Sequence, residues 1–185
     1  VYVTEQSKSN FTEKALIKSA YIYFKRGAYT EALAAYTKLE EIAEVPSNIM
    51  DARIGQMRSN FQLKQYSMAI ATSKKIIAME KIPNEILYEC HSLNAKSYLA
   101  SGNDSLAMDE FVITSKLTKN EMGAEAKYNI AVLQFKKAEY QASEKTIDDI
   151  IKQVPSYDYW IAKSFILWAD IYMALKDNFQ AKATL

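Results

Sequence analysis

Residues 23–36 read YFKRGAYTEALAAY, and residues 98–111 read YLASGNDSLAMDEF. The two stretches share an order of aromatic, glycine, small residue and aromatic without sharing an exact sequence. That pattern marks a building unit used more than once, not a reaction site, and self-similarity at a fixed period decides the whole architecture. The small residues that close the pattern fall at Ala32, Ala69, Ala107, Ser143 and Ala181, spaced 37, 38, 36 and 38 residues apart. Pro46, Pro83 and Pro155 lie 37 and 72 residues apart, in the same register. Proline lacks an N–H and disfavours helix at the residue before it, so these positions mark the junctions between units.

Each unit divides into two helical halves. Between Lys14 and Lys25 the larger apolar residues are Leu16, Ile17, Tyr21, Tyr23 and Phe24, a spacing that makes one face of a helix and not an alternating strand. Gly27 then breaks the pattern, and Thr30 is the predicted cap of a second helix over about Glu31 to Glu44, whose stripe is Ala32, Leu33, Tyr36, Leu39 and Ile42. The plan recurs with Ser67 as the predicted cap after Gln65 and Tyr66, and with Asp104 or Ser105 after Gly102. No segment reads as a strand, and four glycines in 185 residues leave little room for hairpins. The chain is therefore predicted to be all-α, a single solenoid over 1–185. Its helix-turn-helix repeats cover approximately 13–49, 50–87, 88–123, 124–161 and an incomplete 162–185. A small residue at each helix crossing lets two backbones approach where a larger side chain would hold them apart.

These residues resemble the tetratricopeptide repeat (TPR), a 34-residue helix-turn-helix unit. Leu16, Ala20, Tyr23, Gly27, Tyr29, Ala32 and Tyr36 stand where that family places its large, small, aromatic and glycine residues. Later repeats keep parts of the pattern: Tyr66 and Ala69; Ala95, Tyr98, Gly102, Ala107 and Phe111; Ile130, Ala131, Tyr140 and Pro155; Trp168, Ala169, Tyr172 and Ala181. Ala138 and Lys176 replace the expected glycine. The resemblance spans about Glu13 to Leu185 and implies a right-handed superhelical α-solenoid with a concave protein-binding groove. The chain stops part-way through its fifth unit without a polar capping helix, so it is expected to be a fragment of a longer array. The closing phrase WIAKSFILWADIYMALKDNFQAKATL is similar to large bacterial repeat proteins linked to envelope assembly or Tol-Pal-type functions. That likeness implies a periplasmic or cell-envelope setting.

Composition excludes several kinds of chemistry. The net charge is +1, so nothing global steers the chain to nucleic acid, an anionic membrane or an acidic substrate. A single cysteine, Cys90, excludes an internal disulfide and multi-cysteine metal sites. No apolar run approaches the roughly 18 residues of a membrane span, and the chain begins at Val1 without a recognisable leader, so any targeting segment is expected outside it. His91 follows Cys90 directly, and adjacent helical residues do not face each other, which rules out a nucleophile-base pair. One histidine makes no zinc site, the acid pairs Glu40-Glu41 and Asp148-Asp149 read as helix-surface charge, and scattered glycines form no phosphate loop. No catalytic residue, cofactor or metal is expected.

What remains is a binding surface. Equivalent inner positions of the five first helices carry Tyr21, Arg58, Lys96, Val132 and Asp170; three residues further on stand Phe24, Phe61, Leu99, Phe135 and Met173. Tyr128 and Lys163 join them as groove candidates. This surface, basic and aromatic at first and acidic at the end, suits a peptide or helix with acidic and apolar side chains. The plainer alternative is that Phe24, Phe61 and Phe135 pack against the next repeat. One known use of the family is a clamp for a peptide's terminal carboxylates. The corresponding positions in the first three units are Ile17, Tyr21, Gly55, Glu89 and Leu93, which lack it. In the last three they are Ser92, Lys96, Asn129, Lys163 and Leu167, where only Asn129 and Lys163 match. The competing reading is a structural spacer, or a segment that self-associates through its uncapped C-terminal end.

Overall fold

The computed structural model describes residues 10–185, with side chains from Thr12 onward; residues 1–9, to which the expectation about a leader belongs, lie outside that range. Among the described residues ten helices follow one another: α1 (Asn10–Lys25), α2 (Tyr29–Ile42), α3 (Pro46–Gln62), α4 (Tyr66–Ile77), α5 (Asn84–Ala100), α6 (Asp104–Leu117), α7 (Glu121–Lys136), α8 (Tyr140–Ile151), α9 (Asp158–Ala174) and α10 (Asn178–Thr184). No strand occurs among the described residues. The prolines stand at junctions, Pro46 at the start of α3 and Pro83 capping α5.

The turn between paired helices is the same device each time. Gly27, Lys64, Gly102, Ala138 and Lys176 have φ of 77°, 60°, 76°, 58° and 62°, in the left-handed region. A residue there turns the chain so that the next N–H reaches back to the helix just ended. Ala28, Gln65, Glu139 and Asp177 donate their N–H to the carbonyls of Tyr23, Asn60, Gln134 and Tyr172 at 2.8–3.0 Å, the six-to-one bond of a Schellman closure. Only Gly27 and Gly102 adopt this conformation without a Cβ penalty.

The same turn corrects the expected caps. The residue after the left-handed position is already the N-cap, so α2 and α4 begin two residues earlier than Thr30 or Ser67 would place them. α2 is preceded by Ala28 and α4 by Gln65, neither making a side-chain cap bond. At α6 the cap is Asn103, not Asp104 or Ser105; its Oδ1 accepts from Leu106 N at 3.2 Å.

The chain forms two compact units, Val1–Ser101 and Gly102–Leu185. In the first, Leu16, Ala20, Ala32, Tyr36, Leu39 and Ala52 make one core cluster, and Ile54, Met57, Ile76 and Cys90 make another. In the second, Ala131, Ile147, Leu167 and Ile171 are buried with Tyr128, Val132, Phe135 and Trp168 packed on them. Ala32, Ala69, Ala107, Ser143 and Ala181 are all buried, as the crossing argument requires. Ser143 also donates its Oγ to Ala131 O at 2.8 Å, tying α8 to α7. Gly55 belongs to the same logic: a Cβ there would stand 2.3 Å from the Tyr36 ring, so α3 approaches α2 only because this position is bare. Within the first unit α1 lies against α3 and α3 against α5, and within the second α7 lies against α9. The odd-numbered helices thus form a contiguous layer in each unit.

Candidate functional site

Every sequence-derived groove residue sits on an odd-numbered helix. In the first unit, Tyr21 is exposed on α1 with Lys25 Nζ 5.5 Å from its ring centroid. Arg58 of α3 is held by Glu89 of α5: Nε reaches Oε1 at 2.6 Å and Nη2 reaches Oε2 at 2.7 Å. The hydrogen-bonded Glu89 carboxylate holds the guanidinium further into its protonated range, against the opposing effect of burial. The Arg58 head therefore has a fixed position but carries a matched charge. Lys96 is half-buried on α5. Nearby, Glu40 accepts from Arg53 Nε at 2.6 Å and from Gln56 Nε2 at 2.7 Å. Burial raises its carboxyl pKa, but these two donors outweigh burial and leave it below the ordinary value.

The three phenylalanines each meet a tyrosine across a turn. Phe24 meets Tyr29 at a centroid distance of 5.2 Å, Phe61 meets Tyr66 at 5.8 Å, and Phe135 meets Tyr140 at 5.7 Å. Each pair bridges the turn within one repeat, locking the end of the first helix to the start of the second. Phe135 additionally packs on the second unit's core.

In the second unit the charge arrangement changes. Lys163 Nζ of α9 lies 4.6 Å from the Tyr128 centroid, 5.3 Å from Trp160 and 5.6 Å from Tyr159. The rings themselves are in contact, Tyr128 with Trp160 at 5.5 Å and Tyr159 with Trp160 at 4.9 Å. Burial raises the Tyr128 hydroxyl pKa, and the Asp170 carboxylate and Tyr159 add to the shift. Asp170 is exposed on the same helix. Among the described residues no group of three or more His, Cys, Asp or Glu gathers to hold a metal, and no helix is long and apolar enough to cross a membrane.

Solved structures of the same architecture fix the fold. The chain is similar to YrrB, described as a TPR protein with an unusual peptide-binding site, at 16% identity and a TM-score of 0.67 over 91% of this chain and 80% of that one. It is also similar to the MamA protein, at 13% identity and a TM-score of 0.72 over 93% and 87%. The chain has the tetratricopeptide-repeat fold. The sequence matches no protein-family model and no curated relative.

Sequence reasoning missed three residues of this TPR surface: Glu89, which binds Arg58, and Tyr159 and Trp160, which surround Lys163. A signal was present. Glu89 and Lys163 occupy one register position, 74 residues apart, as do Arg58 and Val132. Comparing those columns shows arginine with glutamate in one unit and valine with lysine in the other.

Proposed function

We propose that this chain is a non-enzymatic scaffold that binds a peptide or partner protein on its odd-numbered helices. The observation that carries the reading is the Lys163 cluster. A lysine head held against three aromatic rings, on a face that also bears Tyr128 and Asp170, is a preformed and mostly apolar anchor with one charge. Rigid aromatic and cationic side chains supply most of the energy at protein interfaces. Tyr21, exposed on α1, adds an aromatic contact in the first unit, and the partner favoured is one with acidic and apolar side chains. YrrB, which shares the fold, is a peptide-binding protein by its own description.

Panning a random peptide library on the folded chain tests this. Selected peptides are expected to bind at least about tenfold more weakly to a Tyr128→Ala, Lys163→Ala variant, since such anchors contribute upwards of about 1.4 kcal/mol. A Gln141→Ala, Lys145→Ala variant on exposed positions of α8 should bind normally. Equal weakening by both variants, or no selected peptide at all, contradicts the proposal.

A further inference from the structure

One side of α9 is bare along its length. Tyr159, Ile166 and Met173, spaced seven residues apart, are 61%, 57% and 57% exposed. Ala162 and Asp170 lie exposed between them, with Lys163 half-buried alongside. Residues at this spacing share one face of a helix. One repeat earlier the positions of Ile166, Asp170 and Met173 are held by Tyr128, Val132 and Phe135. Those three pack on a core to which α9 itself contributes Leu167 and Ile171. The register is therefore one that accepts a helix on α7, and on α9 the same face is open.

The charges of this face are opposite in sign and symmetric in place. Among the described residues neither Lys163 nor Asp170 meets an opposite charge at ion-pair distance. Lys163 stands three residues before Ile166 and Asp170 four after it, while Tyr159 and Met173 stand seven before and seven after. A second α9 laid antiparallel across a two-fold axis at Ile166 therefore sets Lys163 against Asp170 and Tyr159 against Met173, and the symmetry makes each contact twice. The offset between three residues and four is about 1.5 Å along the helix, within the reach of a lysine side chain. A thioether against a ring is itself a favourable contact. A uniformly acidic partner would match Lys163 but oppose Asp170, whereas a second copy matches both.

We propose that this face of α9 is an isologous interface between two copies of the chain, with Ile166 on the two-fold axis and Lys163 paired to Asp170 of the second copy. Only the second unit of each copy takes part. The inference goes beyond the scaffold reading and does not depend on it: a peptide held at Lys163 and a second copy exclude each other, so self-association controls access to the lysine. One helix face is small beside the roughly 800 Å² that each partner of a stable complex buries, so the dimer is expected to be weak, with a Kd of about 10–100 μM.

Sedimentation of the chain from about 5 to 500 μM, a range that brackets the expected Kd, tests this. A reversible monomer-dimer equilibrium is expected. Ile166→Glu sets two like charges against each other on the axis and should weaken the dimer at least about tenfold. Leu117→Glu, at an exposed apolar position of α6, should leave it unchanged. The decisive arm uses charge reversal. Lys163→Asp makes the face wholly acidic and Asp170→Lys makes it wholly basic, so each variant alone should be monomeric. An equimolar mixture of the two should dimerise again, which also shows that both variants are folded. A chain that stays monomeric throughout the range, a dimer indifferent to Ile166→Glu, or a mixture that fails to associate overturns the interface. A chain that is monomeric yet binds a library peptide on α9 gives this face to a foreign partner, and then only the scaffold reading stands.

Discussion

Arg58 and Lys163 are both cations on odd-numbered helices, yet the two units hold them by opposite means. In the first unit the register positions 58 and 89 carry arginine and glutamate, and the guanidinium closes a two-point ion pair between α3 and α5. In the second unit the same two positions are Val132 and Lys163. Without an acid opposite, the lysine lies against Tyr128, Tyr159 and Trp160. The difference teaches that one repeat position can either join neighbouring repeats or present a charge outward, and that a single partner residue decides which. An ion pair satisfies both charges, whereas a cation over rings remains available to an anion.

The largest expected effect comes from breaking the pair. Arg58→Met removes two charge-assisted hydrogen bonds and leaves the well-shielded Glu89 carboxylate without its partner, costing about 1–2 kcal/mol. Because Arg58 is partly exposed, the loss should shrink between 0.1 M and 1 M NaCl in urea unfolding. A salt-independent loss would show that the aliphatic stem, not the charge, matters.

A second charged contact in the first unit gives a pH signature. Glu40 has a folded-state pKa below its unfolded value near about 4.3. Its stabilising contribution is fully present above that value and is lost as pH falls through the lower, folded one. Glu40→Gln should therefore cost about 1 kcal/mol at pH 7, and the gap to the parent should close as the solution is acidified below about pH 4. A gap that persists in acid would locate the effect in packing.

In the second unit the corresponding change is milder. Lys163→Met replaces a cation over partly exposed rings by a polarizable thioether that still covers them, so stability should fall by no more than about 0.5 kcal/mol. The loss should be nearly insensitive to salt. A cost as large as that of Arg58→Met would mean that the two cations are equivalent after all.

An effect of similar size and opposite sign concerns the turns. Ala138→Gly in the second unit relieves a left-handed residue that Gly27 and Gly102 accommodate freely. A gain of about 0.5 kcal/mol in thermal unfolding is expected, once the extra chain entropy of glycine is subtracted.

Much of the fold was legible because its causes are local and repeated. Period, small crossing residues and turn positions all follow from backbone geometry, which every repeat must satisfy. The left-handed turn was visible at Gly27 and Gly102, and the resemblance put Ala138 and Lys176 in the same slot; at these two and at Lys64 a residue with a Cβ accepts the strain. The caps were misplaced because Thr30 and Ser67 have suitable hydroxyls, whereas the turn had already fixed the helix start two residues earlier. The candidate site was less legible. Spacing assigned Arg58 and Lys163 to one layer, but whether each charge is matched depends on a residue one repeat away. The pairing of Phe24, Phe61 and Phe135 with a tyrosine five residues on was present in the sequence as a recurring interval. Its meaning depends on the turn that folds the two rings together.

The measurement that tests the central claim most directly is an amide chemical-shift map of the 15N-labelled chain with a peptide selected from a random library. The account predicts that shifts concentrate on residues of the odd-numbered helices, foremost around Tyr128, Trp160 and Lys163. Shifts concentrated on α4 and α8, with those residues unmoved, would contradict it.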